Sequence, residues 1–321
     1  MMNRIALFLL FYLLLVSCNN DLDITFESKP TTFVYGILDK RDSLHLLRIN
    51  RSFLAKGSAL DYINESDSLN HNHLDITIEF SNLQGSKLVY PEAIIFKPKD
   101  SGIFYSEPNV LYAFNDNIKS FTRAHIRIIL PEYADTVSAS TELVVPGKLL
   151  LPGLWTSSDQ VSFYGGGYKM LWRTGSGYYN ELTLTFHYSN HIGREKFKAE
   201  FSHIIEYNFT PDNERDFTLP LKDFLSMVKS GIPVSQTVEY RVFDSIDLHF
   251  DSAEKFLFEY SRIHAYDPPE FALINFTNIT NGSGIFSSKA RSSVTGLKLD
   301  IQAMDSLVNG PITRMLNFVH Y

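Results

Sequence analysis

The chain has 321 residues, 44% apolar and 14% aromatic, and a formal net charge of −7. That length holds two ordinary domains, and the apolar share supports sizeable cores. Mild acidity without a basic stripe argues against nucleic acid as a partner, and the lone cysteine, Cys18, excludes a disulfide within the chain and, if its thiol is acylated as expected below, thiol chemistry and cysteine-based zinc sites.

The chain opens on an export signal. Arg4 supplies a positive charge, and Ile5–Val16 is an unbroken apolar run. As a helix this run rises about 18 Å at roughly 1.5 Å per residue, short of the ~30 Å of a hydrocarbon core. Residues 1–17 are therefore expected to be a cleaved signal peptide rather than a spanning helix. They lead into Leu15-Val16-Ser17-Cys18, a lipobox-like pattern with the cysteine where diacylglycerol is accepted. An ordinary secretory signal with a stray cysteine is the plainer alternative. Acylated at Cys18, the chain is held by membrane lipid, each buried methylene contributing about 0.8 kcal/mol. Residues 18–28 then form a lipidated tether. Its Asn19-Asn20-Asp21-Leu22-Asp23 stretch reads as a solvated spacer or as an acidic signal for export to the outer face.

An N-terminal domain is expected over residues 29–146. Thr31–Leu38 is β-branched and aromatic, Asp39–Asp42 is a polar turn, and Ser43–Asn50 resumes the extended pattern, so the two pair as a hairpin. Arg51–Asn72 is a long polar excursion and a candidate binding loop. Leu74, Ile76, Ile78 and Phe80 alternate with Asp75, Thr77 and Glu79, which predicts a half-buried strand. Short runs at Lys87–Tyr90, Ala93–Phe96, Gly102–Tyr105 and Val110–Phe114 follow, then Arg123–Leu130 and Asp135–Val145. Short strands at roughly ten-residue spacing predict an immunoglobulin-like β-sandwich. Val145-Pro146-Gly147 punctuates the chain, and the second domain is expected over 147–321.

The second half continues in the same style. Leu149–Leu154 and Gln160–Phe163 are extended, and Gly165-Gly166-Gly167 reads as a tight turn into Tyr168–Arg173, with Trp172 as a core anchor. No Gly-Lys-Ser/Thr follows the glycines, so they are not a phosphate loop. In Asn180–Tyr188, Leu182, Leu184, Phe186 and Tyr188 share one face while Thr183, Thr185 and His187 take the other; Phe197–Phe209 stays extended. Leu221, Phe224, Leu225 and Val228 recur at helical spacing within Asp216–Ile232, with Pro220 at the first turn and Gly231 stopping the run. A strand region, Thr237–Phe250, precedes a second predicted helix over Ser252–Ala265, capped by Ser252. Phe271–Phe276, Gly284–Ser287 and Val294–Asp300 close as strands. The expected fold is mainly all-β: two β-sandwich domains, the second carrying two short helices.

Local motifs for chemistry are lacking. The sequence holds no HExxH, GxSxG, CxxC or Walker loop. His71 and His73 are two apart in a polar loop, which reads as a polar loop before it reads as a metal pair. His187, His191, His203, His249 and His264 are scattered without ligand spacing, and Asp244, Asp247 and Asp251 read as a solvated strand face. No catalytic residue, metal or cofactor is assigned. Aromatic side chains beside glycine, Tyr164 in Phe163–Tyr168 and the pair Tyr178-Tyr179, are candidate ligand contacts, with core packing as the competing reading. Asp-Ser/Thr followed by an apolar residue recurs with Ser43, Ser68, Thr136, Ser245, Ser252 and Ser306. The pattern resembles an O-glycosylation motif of exported Bacteroidota proteins; turn and cap preference also explains it.

Two stretches carry a family resemblance. Phe33-Val34-Tyr35-Gly36-Ile37-Leu38 with His45–Leu54 resembles the start, and Phe276–Ser288 with its Asn281-Gly282-Ser283-Gly284-Ile285-Phe286 core resembles the end, of the Bacteroidota lipoproteins that carry the domain of unknown function 4249. Ser283 departs from the larger apolar residue expected between the glycines. Asn281-Gly282 and Gly284 are expected to form a turn with positive backbone angles before the Ile285-Phe286 strand. The resemblance implies an outer-membrane lipoprotein that acts beside a TonB-dependent transporter in nutrient capture, and it brings no catalytic residues. The expectation is thus a non-enzymatic, surface-facing accessory subunit for ligand capture or docking. A structural or assembly lipoprotein of the envelope is the alternative, and a hydrolase of surface glycans or peptides is a third reading.

Overall fold

The computed structural model describes residues 29–52, 69–96, 109–152, 160–265 and 276–320. The predicted signal, Cys18, Ser68, the strand at 102–105 and most of the polar loop 51–72 lie outside the described residues. The described fold is mainly β, as expected.

Strands β1 (Thr32–Leu38) and β2 (Leu44–Arg51) form the predicted hairpin, with Val34 opposite Ile49. Strand β3 (Asp75–Asn82) buries Ile76, Ile78 and Phe80, as its alternation requires. Next come β4 (Gly85–Val89), β5 (Glu92–Phe96), β6 (Asn109–Asn115), β7 (Arg123–Leu130) and β8 (Asp135–Glu142). The second half adds β9 (Lys148–Leu151), β10 (Gln160–Val161), β11 (Tyr168–Arg173), β12 (Tyr179–Ile192), β13 (Glu195–Asn208) and β14 (Glu214–Leu219). Helix α1 (Leu221–Gly231), β15 (Tyr240–Ala253), helix α2 (Lys255–Ala265), β16 (Ser283–Leu299), helix α3 (Ile301–Asn309) and β17 (Phe318–Val319) complete the chain.

Helix α1 begins directly after Pro220 and ends at Gly231, the first turn and stop that the sequence marks, with Phe224, Leu225 and Val228 buried. The residues before it, from Asp216, pair with β11 instead. Two expectations need correction. Ser252 does not cap the second helix: it pairs with Asn180 inside β15, and Glu254 accepts the Phe256 N–H at 2.8 Å. A third helix, α3, joins the two expected from the sequence. Asp300 caps it by accepting from Ala303 N at 2.7 Å, and Ala303 and Leu307 are its buried face.

One continuous sheet organises the molecule, in the order β13-β12-β15-β16-β1-β2-β6-β5. Its middle strand, β16, replaces the predicted strands Gly284–Ser287 and Val294–Asp300, while residues 271–275 of the third predicted closing strand lie outside the described residues. The first part of β16 runs parallel to β1, with Gly284 beside Val34, and the second part runs antiparallel to β15. Asn281 and Gly284 take φ of 57° and 105°, as expected of that turn, but Gly282 does not share the positive angle. A Cβ there would fall 2.8 Å from the Thr32 carbonyl oxygen, so close approach rather than φ calls for its glycine.

Two smaller sheets cap one side of this long sheet. The β4-β3-β7-β8 sheet closes a core that includes Val34, Leu47, Phe80, Ile126 and Val137. That core also takes Ile279 and Phe286 from the far end of the chain, so residues 29–146 alone do not build it. The β14-β11-β9 sheet, with α1 and α3, closes a second core around Trp172, Leu184, Phe186, Phe224 and Phe250. Each such buried side chain contributes roughly 1.5–3 kcal/mol. Between the caps, Ser288 Oγ donates to Glu142 O and accepts from Val144 N, and Ser292 Oγ donates to Gly147 O, so β16 also anchors the connecting segment.

Candidate functional site

The caps leave the other side of β13, β12, β15 and the second part of β16 uncovered among the described residues. Alternation decides what that side presents. On β12, Leu182, Leu184 and Phe186 point into the core, so Glu181, Thr183, Thr185 and His187 point away from it. Register lines up matching residues from the neighbours. Glu181 lies between Tyr207 and Asp251, Thr183 between Ile204 and His249, Thr185 between Ser202 and Asp247, and His187 between Glu200 and Ser245.

These side chains bond mainly to one another. His187 places Nε2 3.0 Å from Asp247 Oδ2 and Nδ1 3.0 Å from Glu200 Oε2. The second oxygen of Asp247 accepts from Gly296 N at 2.8 Å. Arg291 grips Asp251 with two hydrogen bonds, of 2.6 and 2.9 Å. Glu181 accepts from Thr183 Oγ1 at 2.7 Å and from the Tyr179 hydroxyl at 2.5 Å. Burial, then the bond to Glu181 and its charge, push the Tyr179 phenol well above its ordinary range. Burial, then Arg291, lower the pKa of His249, whose Nδ1 lies 2.8 Å from Ser293 Oγ.

Two adjoining depressions follow the strands. One, of ≈ 510 Å³, is lined by Thr183, Thr185, Ser202, His249 and Arg291. The other, of ≈ 680 Å³, is lined by Lys196, Lys198, Lys298, Asp244 and Ser245. They share His187, Glu200 and Asp247. At the opposite end from the lysines stands a cluster of aromatic rings: Tyr178, Tyr179, Tyr207, Phe209 and, from α2, Phe258. Tyr179 stacks on Phe258 at 4.6 Å and 20°, and Phe209 lies 5.3 to 6.2 Å from the other four rings. Lys255 lies over the Tyr178 ring at 5.8 Å. Despite this mutual packing, Tyr207 remains 60% exposed.

The predicted contacts therefore separate. Tyr178 and Tyr179 join the ring cluster. Tyr164 stands 84% exposed on the glycine turn before β11, whereas Tyr178 follows the other end of that strand. Six strand residues at about 3.3 Å each put some 20 Å between the two ends. His71 and His73 do not make a pair either: His71 is buried with Nε2 3.3 Å from Thr32 Oγ1, and His73 faces Asp75 in solvent. The histidines and aspartates that look scattered along the chain are brought together by register instead, with His187, His249, Asp247 and Asp251 on adjacent strands. Among the described residues no group of three or more His, Cys, Asp or Glu side chains has metal-holding geometry. Of the Asp-Ser/Thr hydroxyls, Ser43 is exposed in the β1–β2 turn, while Thr136, Ser245 and Ser306 are half-buried. Ser252 is 1% exposed and accepts from Gly177 N at 2.9 Å, which makes it an internal bracing hydroxyl.

No protein-family model and no curated protein matches the chain. Among solved structures, the C-terminal globular domain of an oligosaccharyltransferase from Pyrococcus abyssi overlaps 68% of this chain at 8% identity and a TM-score of 0.22. A DUF4785 family protein from Legionella pneumophila overlaps 67% at 9% identity and a TM-score of 0.18. The matches span 46% and 52% of those two chains. Overlaps this loose carry no argument about fold or function.

No residue of the polar face apart from Tyr178, Tyr179 and Ser245 stands among the sites proposed from sequence. The outward set Thr183, Thr185 and His187 is legible from alternation. Its convergence with β13, β15 and β16 requires the strand order, which the sequence does not state.

Proposed function

We propose that this chain is a non-enzymatic lipoprotein of the outer membrane, anchored through acylated Cys18 and facing the exterior. It serves as an accessory ligand-capture or docking subunit of a TonB-dependent nutrient uptake system. The observation that carries the capture role is the uncovered polar sheet face edged by packed aromatic rings. A sheet face offers a broad, rigid platform, and rings already held by their neighbours lose little entropy on contact with a ligand. The finer architecture we propose is two β-sandwich units, the first immunoglobulin-like, joined through the long sheet. The anchor rests on the sequence pattern at Leu15–Cys18 and the family resemblance on the two stretches that bracket the mature chain.

The test is mild-detergent solubilisation of the tagged native protein, identification of what co-purifies, and protease shaving of intact cells. A stoichiometric TonB-dependent transporter with a shaved lipoprotein supports the reading. Recovery of the protein alone and protected from protease sinks it. Co-purification with a secretion or envelope-assembly component instead favours a structural lipoprotein.

A further inference from the structure

We infer that the ligand of the polar face is a neutral oligosaccharide, laid along β12 from the ring cluster toward the lysines. The inference rests on the capture reading above for the presence of a ligand, and on the chemistry of the face for its class.

Charge points to a neutral ligand. The carboxylates of the face are already matched within it: Arg291 holds Asp251, His187 bridges Glu200 and Asp247, and hydroxyls satisfy Glu181. At the far end Lys298 donates to the Asp244 backbone carbonyl, and Lys196 lies 4.0 Å from the Asp244 carboxylate. Over the stretch from Glu181 to Asp247 a charged ligand would have to break these pairs and leave a partner uncompensated, which costs more than a new pair returns. The lysine end, where Lys298 meets only a neutral carbonyl and Lys198 also lines the depression, lies outside that constraint. Hydroxyl groups need no such exchange. A carboxylate has about four lone-pair sites, so Glu181, Glu200 and Asp247 retain capacity to accept from sugar hydroxyls while keeping their present donors.

Shape points to a chain of flat rings. The two depressions run into each other through His187, Glu200 and Asp247, so the groove follows the strands rather than ending in a closed pocket. At its aromatic end Tyr207, Phe209 and Tyr178 are 60%, 44% and 40% exposed. Tyr207 sits directly across from Glu181, which places a stacking surface beside an acceptor. The pairing of an apolar ring face with a hydrogen-bonding edge matches the amphipathic faces of a sugar. An extended peptide is a poorer fit. It pairs with the backbone of a sheet edge, and the backbones of β12 and β15 are paired on both sides.

The test is isothermal titration of the purified full-length protein with maltohexaose, cellohexaose, mannohexaose and xylohexaose, and with hexagalacturonate and a chitosan hexamer as charged counterparts. At least one neutral hexasaccharide is expected to bind, with affinity reduced at least tenfold by Tyr207→Ala. Tyr207 is mostly exposed, so that variant keeps the wild-type urea midpoint. Tyr164→Ala, on the distant glycine turn, leaves affinity unchanged. Preference for a charged hexamer, no binding of any neutral one, or unchanged affinity in Tyr207→Ala overturns the inference. A protein that binds none of them yet is shaved and travels with a transporter loses only this ligand class. One that binds a neutral hexasaccharide but is recovered alone and protected loses the uptake role and keeps the site.

Discussion

Replacing Gly284 by alanine tests whether β16 joins the two halves of the sheet as described. Gly284 has φ of 105°, and a Cβ built there falls 2.1 Å from the Val34 carbonyl oxygen. Positive φ costs an L-residue about 1–2 kcal/mol. Relieving the overlap requires β16 to back away from β1, which weakens neighbouring hydrogen bonds worth about 1 kcal/mol each. Together these come to roughly 3 kcal/mol. Gly296 is the control: its φ is 78°, but a Cβ there meets nothing within 4 Å, so Gly296→Ala carries only the backbone term of about 1 kcal/mol. Urea titration followed by far-UV circular dichroism reads the difference. With a slope of roughly 3 kcal/mol per molar urea, Gly284→Ala shifts the midpoint down by about 1 M and Gly296→Ala by about a third of that. Equal shifts, or no shift for Gly284→Ala, would refute the close approach of β16 to β1.

Three further outcomes are expected. Burial lowers the pKa of His45 and, with help from Arg51, of His71, so both take up a proton less readily in the fold than in the unfolded chain, which protonates near pH 6.5. Stability is therefore intact above about pH 6.5 and falls below it, by up to ~1.4 kcal/mol per pH unit for each histidine. Urea midpoints between pH 7.5 and 5 check this, and His45→Phe, which keeps the stack on Phe114, should flatten part of the slope. Trp172→Phe removes the donor to Glu206 Oε2 and leaves a void in a fully buried site, a loss of about 2–3 kcal/mol readable by thermal melting. Peptide mass spectrometry of native protein should find any O-glycan at an accessible hydroxyl such as Ser43 and none at Ser252; occupancy at Ser252 contradicts its burial.

Strand content was legible wherever one face meets a core and the other meets water. Arg123–Leu130 and Tyr168–Arg173 have the predicted bounds, because alternation marks a half-buried strand without reference to its neighbours. The first helix was legible too, because Leu221–Val228 sets a helical period and Pro220 marks its first turn against the strand that abuts it. Helix α3 carries its own signals: Asp300 caps, Met304, Leu307 and Val308 repeat at helical spacing, and Gly310-Pro311 ends the run. The site was the least legible part. Its residues lie on four strands, and no local spacing announces that His187 will meet Glu200 across one neighbour and Asp247 across another.

The placement of β16 has a consequence for how the protein comes into being. Phe286 and Ile279 fill the first core, yet they are made after nearly all the rest of the chain. A nascent chain ending near Pro146 carries every strand of the first cap and β1, β2, β5 and β6 of the wall opposite, but lacks β16. The part of its core that Ile279 and Phe286 fill stays open until the last segment arrives and slots in beside β1. Contacts between such distant segments form slowly because a long loop has to close first. The early chain thus exposes part of its core while the rest is being made, and truncation from the C-terminal side weakens the N-terminal half along with its own.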